Sequence, residues 1–346
     1  MKKIGELMTD QLPLVSDASA WKGADFQGDE SWIYTLSADD IEELAIAAQR
    51  CLNATRQVTD IRAEDFALPK LSRSIRRWAE EINNGRGFLL VRGLPKERFT
   101  DDEVRAMFWG IGLYLGTPVS QNSYGEMFGD VYDEGVKMGT GRVRGYRTSQ
   151  RLMFHTDRCD IVGLLCVRPA KTGGLSSIVS STRVYNEIVT NHPEYLQPLI
   201  NGYIHLNVEE GGDLSTYRVP VFSIHNGVVS CRILRNTIEN ARKMGYAKYD
   251  DVETAALAYM DELVNREDMR LDMMLQRGDM QFINNYTTLH ARTEFEDFAQ
   301  PERRRLMVRL WLRSFGLRRP RHIELFKDYD GVAKTLDRKS VPHGVV

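Results

Sequence analysis

From Arg305 to Arg313 the chain alternates. Leu306, Val308, Leu310 and Leu312 take the even places, and Met307, Arg309, Trp311 and Arg313 take the odd ones. Side chains two apart point to one side of a strand, so this run predicts a strand with two distinct faces. Arg305 and Arg309, four apart, then share a face, although a solvated basic edge strand fits the same arginines on pattern alone. Further short apolar runs follow the same logic: Gly87 to Gly93, Val162 to Val167, Met269 to Leu275 and Gln281 to Asn284. Val219 to Ile224 and Val228 to Leu234 flank His225-Asn226-Gly227, a strong hairpin signal. Helical signals concentrate early. Ser37 caps a run carrying Ile41, Leu44, Ala48 and Leu52, and a second helix spans about Leu71 to Ile82. Thr100 and Glu103 then form a capping box that opens a third. Two later helices are predicted after Ser180-Ser181-Thr182 and from Asp250 to about Leu263. Short strands in the middle and C-terminal portions with helices early predict an α+β class, with a double-stranded β-helix (jelly-roll) core flanked by helices.

The chain has 346 residues, 42% hydrophobic and 27% charged, enough for one sizeable core. A formal charge of −2 argues against partners recruited by net charge, so no nucleic acid and no membrane surface is expected. No signal peptide and no spanning apolar run is visible, which predicts a cytoplasmic protein. Cys51, Cys159, Cys166 and Cys231 show no C-x-x-C spacing, so zinc-ribbon and disulfide-scaffold readings lack support. No glycine-rich phosphate fingerprint occurs, Gly173-Gly174 being too short. A homo-oligomer is compatible with the sequence but not specified by it.

The chemistry centres on Phe154-His155-Thr156-Asp157. On a strand, His155 and Asp157 present an imidazole and a carboxylate to one side. With one more imidazole they would make the two-His-one-carboxylate facial triad of non-haem Fe(II). Most isolated His-x-Asp triplets are a surface aspartate and a satisfied histidine, so the partners matter. His192 and His343 are poor third ligands by context. His205 and His225 stay open, though His225 falls in a hairpin turn, and His290 follows a strand-like run. Residues 119–150 are polar and aperiodic and lead straight into His155, as an active-site lid would. Gln121, Asn122, Tyr124 and Arg147 are its candidate substrate contacts.

Several segments together resemble one family. They are Asp60-Ile61-Arg62 through Phe66-Ala67-Leu68-Pro69, Gly85 to Pro95, Phe154 to Asp157, Thr172 to Ser176 and Gly278 to Arg313. This set is similar to the taurine-dioxygenase-like (TauD/TfdA) family of Fe(II)- and 2-oxoglutarate-dependent oxygenases. The resemblance covers roughly 55–316. It implies a single domain with residues 1–54 as N-terminal cover and helix, 55–316 as oxygenase core, and 317–346 as a basic, loosely packed tail. It also implies His155, Asp157 and His290 as iron ligands. Arg305, fifteen positions after His290, would pair with the distal carboxylate of 2-oxoglutarate. Ser176 would hold the same carboxylate through its hydroxyl, and Arg309 would lie nearer the substrate and cosubstrate.

The implied reaction consumes O2 and 2-oxoglutarate, releases succinate and CO2, and removes a hydrogen from a bound substrate. Family members that halogenate replace the ligand carboxylate by a small residue. The Asp157 retained here implies hydroxylation, desaturation or cyclisation. The chain lacks the His and Tyr substrate contacts of the taurine-cleaving members, which puts taurine itself in doubt. Arg232, Arg235 and the 119–150 loop are candidate contacts for a small anionic or amino-acid-like molecule, such as a natural-product intermediate. Two rivals remain: a zinc-dependent hydrolase or isomerase on the same barrel, which gives Arg305 no task, and a non-catalytic binding barrel.

Overall fold

In the computed structural model, residues 13–55, 57–136, 145–207, 215–317 and 325–332 are described. The middle of the expected lid, the two ends of the chain, and His322 and His343 lie outside these residues. Two sheets face each other. The major sheet runs Ile33–Thr35, Phe88–Arg92, Met280–Asn284, Ile161–Arg168, Leu306–Ser314 and Gly116–Pro118, with Phe128–Val131 also paired to Leu306–Ser314. The minor sheet runs Arg270–Met273, Ser176–Ser180, Thr288–Arg292 and Leu152–His155. Every pairing is antiparallel except Ile33–Thr35 on Phe88–Arg92.

The alternation of Leu306–Ser314 sets the layering. Leu306, Val308, Leu310 and Leu312 join a core with the helices Ala38–Ala54, Ser72–Asn84 and Asp101–Leu115, while Met307 and Trp311 point into the space between the sheets. The strand is not an edge. Ile161–Arg168 pairs along one side, and on the other Phe128–Val131 covers Met307 to Leu310 and Gly116–Pro118 covers Leu312 to Ser314. Gly116-Thr117-Pro118 and part of the expected aperiodic loop are therefore strand. Neither segment has local β periodicity; both are held by the ladder of a partner far away in the chain. The minor sheet is covered on its outer side by Ser181–Asn191, Leu196–Asn201, Arg235–Lys243 and Asp251–Asn265, through a core that includes Val179, Leu289 and Ala291.

Local signals place the helix starts. Ser37 with Asp40, Thr100 with Glu103 and Asp250 with Glu253 form reciprocal capping boxes. Ser180 Oγ accepts from the Arg183 N–H at 2.9 Å. At the hairpin, Asn226 (φ 50°) and Gly227 (φ 77°) both lie in the left-handed region that a two-residue type I′ turn demands.

The described part of the expected loose tail is packed. Phe326 packs edge-to-face on Tyr286 with ring centroids 4.9 Å apart, Tyr329 lies tilted against the same ring at 5.4 Å, and the Val332 N–H donates to the Ser120 carbonyl at 3.0 Å. No helix among the described residues is long and apolar enough to cross a membrane.

Packing of Asp101–Leu115 against the segment between the first two helices leaves no room at Gly110, where an added Cβ would lie 2.2 Å from a ring carbon of Phe66. In an open helix Gly→Ala stabilises by about 1 kcal/mol. Here overpacking reverses the sign, and Gly110→Ala is expected to lower stability by about 1–3 kcal/mol, read as a reduced urea midpoint.

Candidate active site

Register places the two imidazoles. His290 lies directly across the ladder from His155, and their ring centroids are 4.2 Å apart at 44°. The strand Leu152–His155 ends at His155, so Asp157 does not sit on it as expected. It is held by anchors instead: the Thr156 N–H donates to the Ile233 carbonyl at 2.9 Å, and the Asp157 N–H to Asn285 Oδ1 at 3.1 Å. Asn285 Nδ2 also donates to the Cys159 carbonyl at 3.0 Å, tying the far end of the segment. One ligand atom each from His155, Asp157 and His290 falls within 4.8 Å of the other two. Of the alternatives for the third imidazole, His205 is buried in a separate hairpin with Nδ1 on the Tyr203 carbonyl at 3.1 Å, and His225 ends another.

Electrostatics prepare this trio for a cation. His155 Nδ1 is 2.8 Å from the Met153 carbonyl. A carbonyl only accepts, so Nδ1 carries a proton, and in the neutral ring Nε2 keeps its lone pair. Burial, reinforced by His155, pushes His290 down to about 3 against the pull of Asp157, so the imidazole is neutral and ligand-ready. Burial works against the charge of Asp157, yet Arg309 chiefly, with the Trp311 N–H, holds the carboxyl below the ordinary aspartate value. Arg309 Nη1 lies 3.3 and 3.2 Å from the two carboxylate oxygens, and Trp311 Nε1 donates to Oδ2 at 3.0 Å. Nitrogen and oxygen donors on one side of a partly open centre are the ligand set that non-haem iron takes. The residues present therefore fit the metal.

A second cluster lies further along the same inner surface. Arg305 is buried, its Nη1 has no hydrogen-bond partner, and burial pushes its pKa down to about 10. Beside it is a pocket lined by Cys166, Ala170, Gly173, Gly174, Leu275 and Met307. Gly173 and Gly174 adopt φ of 73° and 72°, and a Cβ on Gly174 would lie 3.5 Å from Arg305 Nε, so these glycines shape the turn that backs the guanidinium. Ser176 lies across the ladder from Arg292, another buried arginine. An orphaned guanidinium nitrogen next to a small pocket suits a carboxylate.

The model of the taurine catabolism dioxygenase TauD, TfdA family matches residues 54–311. The chain belongs to the TauD/TfdA family. This TauD/TfdA enzyme is a non-haem iron dioxygenase with 2-oxoglutarate and O2 as cosubstrates, which answers the zinc-hydrolase and binding-barrel alternatives. It is 30% identical over 305 residues to FR-33289 synthase of Streptomyces rubellomurinus, covering 86% of this chain and 90% of that protein. It is 27% identical over 307 residues to the taurine hydroxylase-like protein SAT17 of Stachybotrys chartarum, covering 86% and 79%. Asparagine oxygenase superposes with a TM-score of 0.64 at 18% identity over 81% of this chain and 93% of its own. The non-haem iron oxygenase OrfP, solved with Fe and alpha-ketoglutaric acid, superposes at 0.60 and 14% over 82% and 94%. These superpositions bear out the jelly-roll expectation.

The TauD/TfdA chain distributes the other expected contacts unevenly. Gln121 comes to the site but faces Arg309: its Oε1 accepts from Arg309 Nε at 2.8 Å, and its Nε2 donates to the Arg309 carbonyl at 2.8 Å. Asn122 Oδ1 accepts from the Tyr124 and Glu126 N–H groups in a local turn, and Tyr124 is 73% exposed. Arg147 Nε pairs with Glu134 at 2.7 Å. Arg232 Nη1 donates to the Leu325 carbonyl at 2.6 Å beneath the 325–332 segment, and Arg235 is committed to Asp261 at 2.9 Å and Glu239 at 2.6 Å. Residue-type reasoning missed Asn285, Trp311 and Arg292. Arg292 had a signal, since it is two positions after His290 on one strand and so shares its face.

Asn285 is fully buried and holds both ends of the 157–159 segment. Asn285→Ala leaves the Asp157 N–H and the Cys159 carbonyl without this partner. A loss of about 1–3 kcal/mol in unfolding free energy is expected from chemical denaturation.

Proposed function

We propose that His155, Asp157 and His290 hold Fe(II), that Ser176 and Arg305 hold the distal carboxylate of 2-oxoglutarate, and that the enzyme hydroxylates a small anionic or amino-acid-like molecule. The observation that carries this reading is the convergence of the three ligand atoms within 4.8 Å, on a buried inner face where His155 is already fixed in the ligating tautomer. When bound, iron and its cosubstrate supply oxidative decarboxylation of 2-oxoglutarate to succinate and CO2, with one atom of O2 passing to the substrate.

The chain's own residues supply placement and charge. Met153 and the ladder orient His155; Arg309 and Trp311 keep Asp157 ionised and aimed. Because that carboxylate occupies its place among the ligands, no position is cleared for a halide, which favours hydroxylation, desaturation or ring closure over halogenation. Gln121 grips Arg309 at both side chain and backbone, so a guanidinium stands rigidly beside Asp157, suited to pair a carboxylate of the substrate or cosubstrate. The walls between the sheets, Met307, Trp311, Ile178 and Ile283, are apolar and exclude water from the reacting centre.

Support for the substrate class comes from the shared fold. The asparagine oxygenase structure contains 3-hydroxyasparagine with succinate, and OrfP structures contain hydroxylated L-arginine. Both are amino acids with a carboxylate that an arginine can pair.

Anaerobic addition of Fe(II) and 2-oxoglutarate to the metal-free protein is expected to give a weak visible charge-transfer band. His155→Ala, Asp157→Ala and His290→Ala should each abolish it while leaving far-ultraviolet circular dichroism intact. A native protein without the band, or a band that survives all three variants, overturns the assignment.

A further inference from the structure

Arg305 is not the one buried guanidinium with open valences on this surface. Arg292 is 6% exposed, and its Nε and Nη1 lack hydrogen-bond partners, as does Arg305 Nη1. Both guanidinium groups lie against one ring: Arg292 Cζ is 4.7 Å and Arg305 Cζ 5.0 Å from the centroid of Phe295. The two charges oppose each other in this buried corner, where Asp133 acts on Arg292 and Asp297 on Arg305, and an anion placed between the guanidinium groups would relieve that repulsion. Ser176, directly across the ladder from Arg292, adds a hydroxyl to the same corner. Meanwhile Arg292 Nη2 donates to the Thr148 carbonyl at 2.7 Å and to the Gln150 carbonyl, on the segment that leads into the Leu152–His155 strand.

We infer that Arg292 is a second cosubstrate-binding arginine: the distal carboxylate of 2-oxoglutarate lies between Arg305 and Arg292, and the same Arg292 guanidinium fastens Thr148 and Gln150. Dicarboxylate occupancy and the placement of the backbone entering His155 are thereby coupled through one side chain. The inference rests on the reading that Ser176 and Arg305 receive that carboxylate.

The test compares 2-oxoglutarate with 2-oxobutanoate, which keeps the chelating keto acid and lacks the distal carboxylate. Calorimetric titrations use full-length protein loaded with Mn(II), and hydrogen exchange is followed over residues 145–151. Arg292→Gln is expected to weaken 2-oxoglutarate about 10- to 100-fold, the scale of a lost charge-assisted hydrogen bond, with 2-oxobutanoate and Mn(II) affinities unchanged. In the native protein 2-oxoglutarate, but not 2-oxobutanoate, should slow exchange over 145–151, and in Arg292→Gln neither should.

Arg292→Lys keeps the charge without the fork, and is expected to retain part of the affinity while losing the protection. If Arg305→Gln weakens 2-oxoglutarate and Arg292→Gln does not, Arg292 is a loop fastener alone and the inference is overturned. Equal weakening of both keto acids by the Gln and Lys variants also overturns it, as general damage to the site. If Arg305→Gln leaves 2-oxoglutarate binding unchanged, the underlying carboxylate assignment fails and takes the inference with it.

Discussion

The active surface depends on the register of one strand. Thr288–Arg292 lies between Leu152–His155 and Ser176–Ser180, with His290 opposite both His155 and Ile178, and Arg292 opposite Ser176. Side chains alternate with period two, so a slip of one residue would turn His290 and Arg292 outward and bring Leu289 and Ala291 into the site. What prevents the slip is apolar burial on the opposite face. Leu289 is fully buried in the outer core with Val179 and the covering helices, and burying one such side chain contributes roughly 1.5–3 kcal/mol. Ligand geometry is thus enforced by residues that never touch a ligand. Leu306–Ser314 works the same way: four aliphatic residues held under the first three helices oblige Arg309 and Trp311 to face Asp157.

Those two strands explain how much was readable in the chain. Alternation, capping boxes and the Asn226-Gly227 turn are local codes, and each produced the element it announced. His155, Asp157 and His290 were legible as candidates because residue type and parity suffice to nominate them, and family resemblance chose His290 among the histidines. The pairing of Gly116–Pro118 and Phe128–Val131 with Leu306–Ser314 was not legible, because neither segment carries a periodic signal and the partner lies far along the chain. The same applies to Asp157, which leaves the strand and is placed by Asn285, a residue far along the chain whose own N–H donates to the adjacent Asp160 carbonyl. Gln121 was nominated for the right region with a different partner, since a side-chain amide says nothing in sequence about which donor it will meet. Arg232 and Arg235 illustrate the limit: an arginine reads identically whether it awaits an anion or is already paired to Asp261 and Glu239.

Asp157 also shows why a buried carboxylate can be kept charged here. Removing it from water disfavours ionisation, and a lone carboxyl in this position would be protonated and useless as a ligand. The adjacent guanidinium and indole N–H reverse that balance before any metal arrives. Their own placement is secured in turn, Arg309 by Gln121 and Trp311 by the ladder to Val162. Each donor aimed at the carboxylate is therefore part of a rigid element, which is what holds a constellation within the tolerance that coordination chemistry requires.

The inner face carries several buried donors that no side chain or carbonyl meets. Arg305 Nη1, Arg292 Nε and Nη1, and His290 Nδ1 are all buried without a hydrogen-bond partner, at a cost of about 1–3 kcal/mol for each such group. Apolar replacements of similar volume would remove that cost and leave a more stable barrel, as buried charges exchanged for packed hydrophobes often do. On the proposed assignment, the two arginines keep these groups unmet for a ligand, whereas Tyr185 Oη and Arg183 Nε on the helix-backed side are unmet with no such role. A dicarboxylate that satisfies the two guanidinium groups removes the penalty only in the folded state, so its binding energy and the stabilisation of the fold are one quantity seen from two sides. On the proposed assignment, a monocarboxylate keto acid would meet the metal without relieving the arginines, and discrimination among keto acids would follow from that unmet charge more than from the size of the pocket.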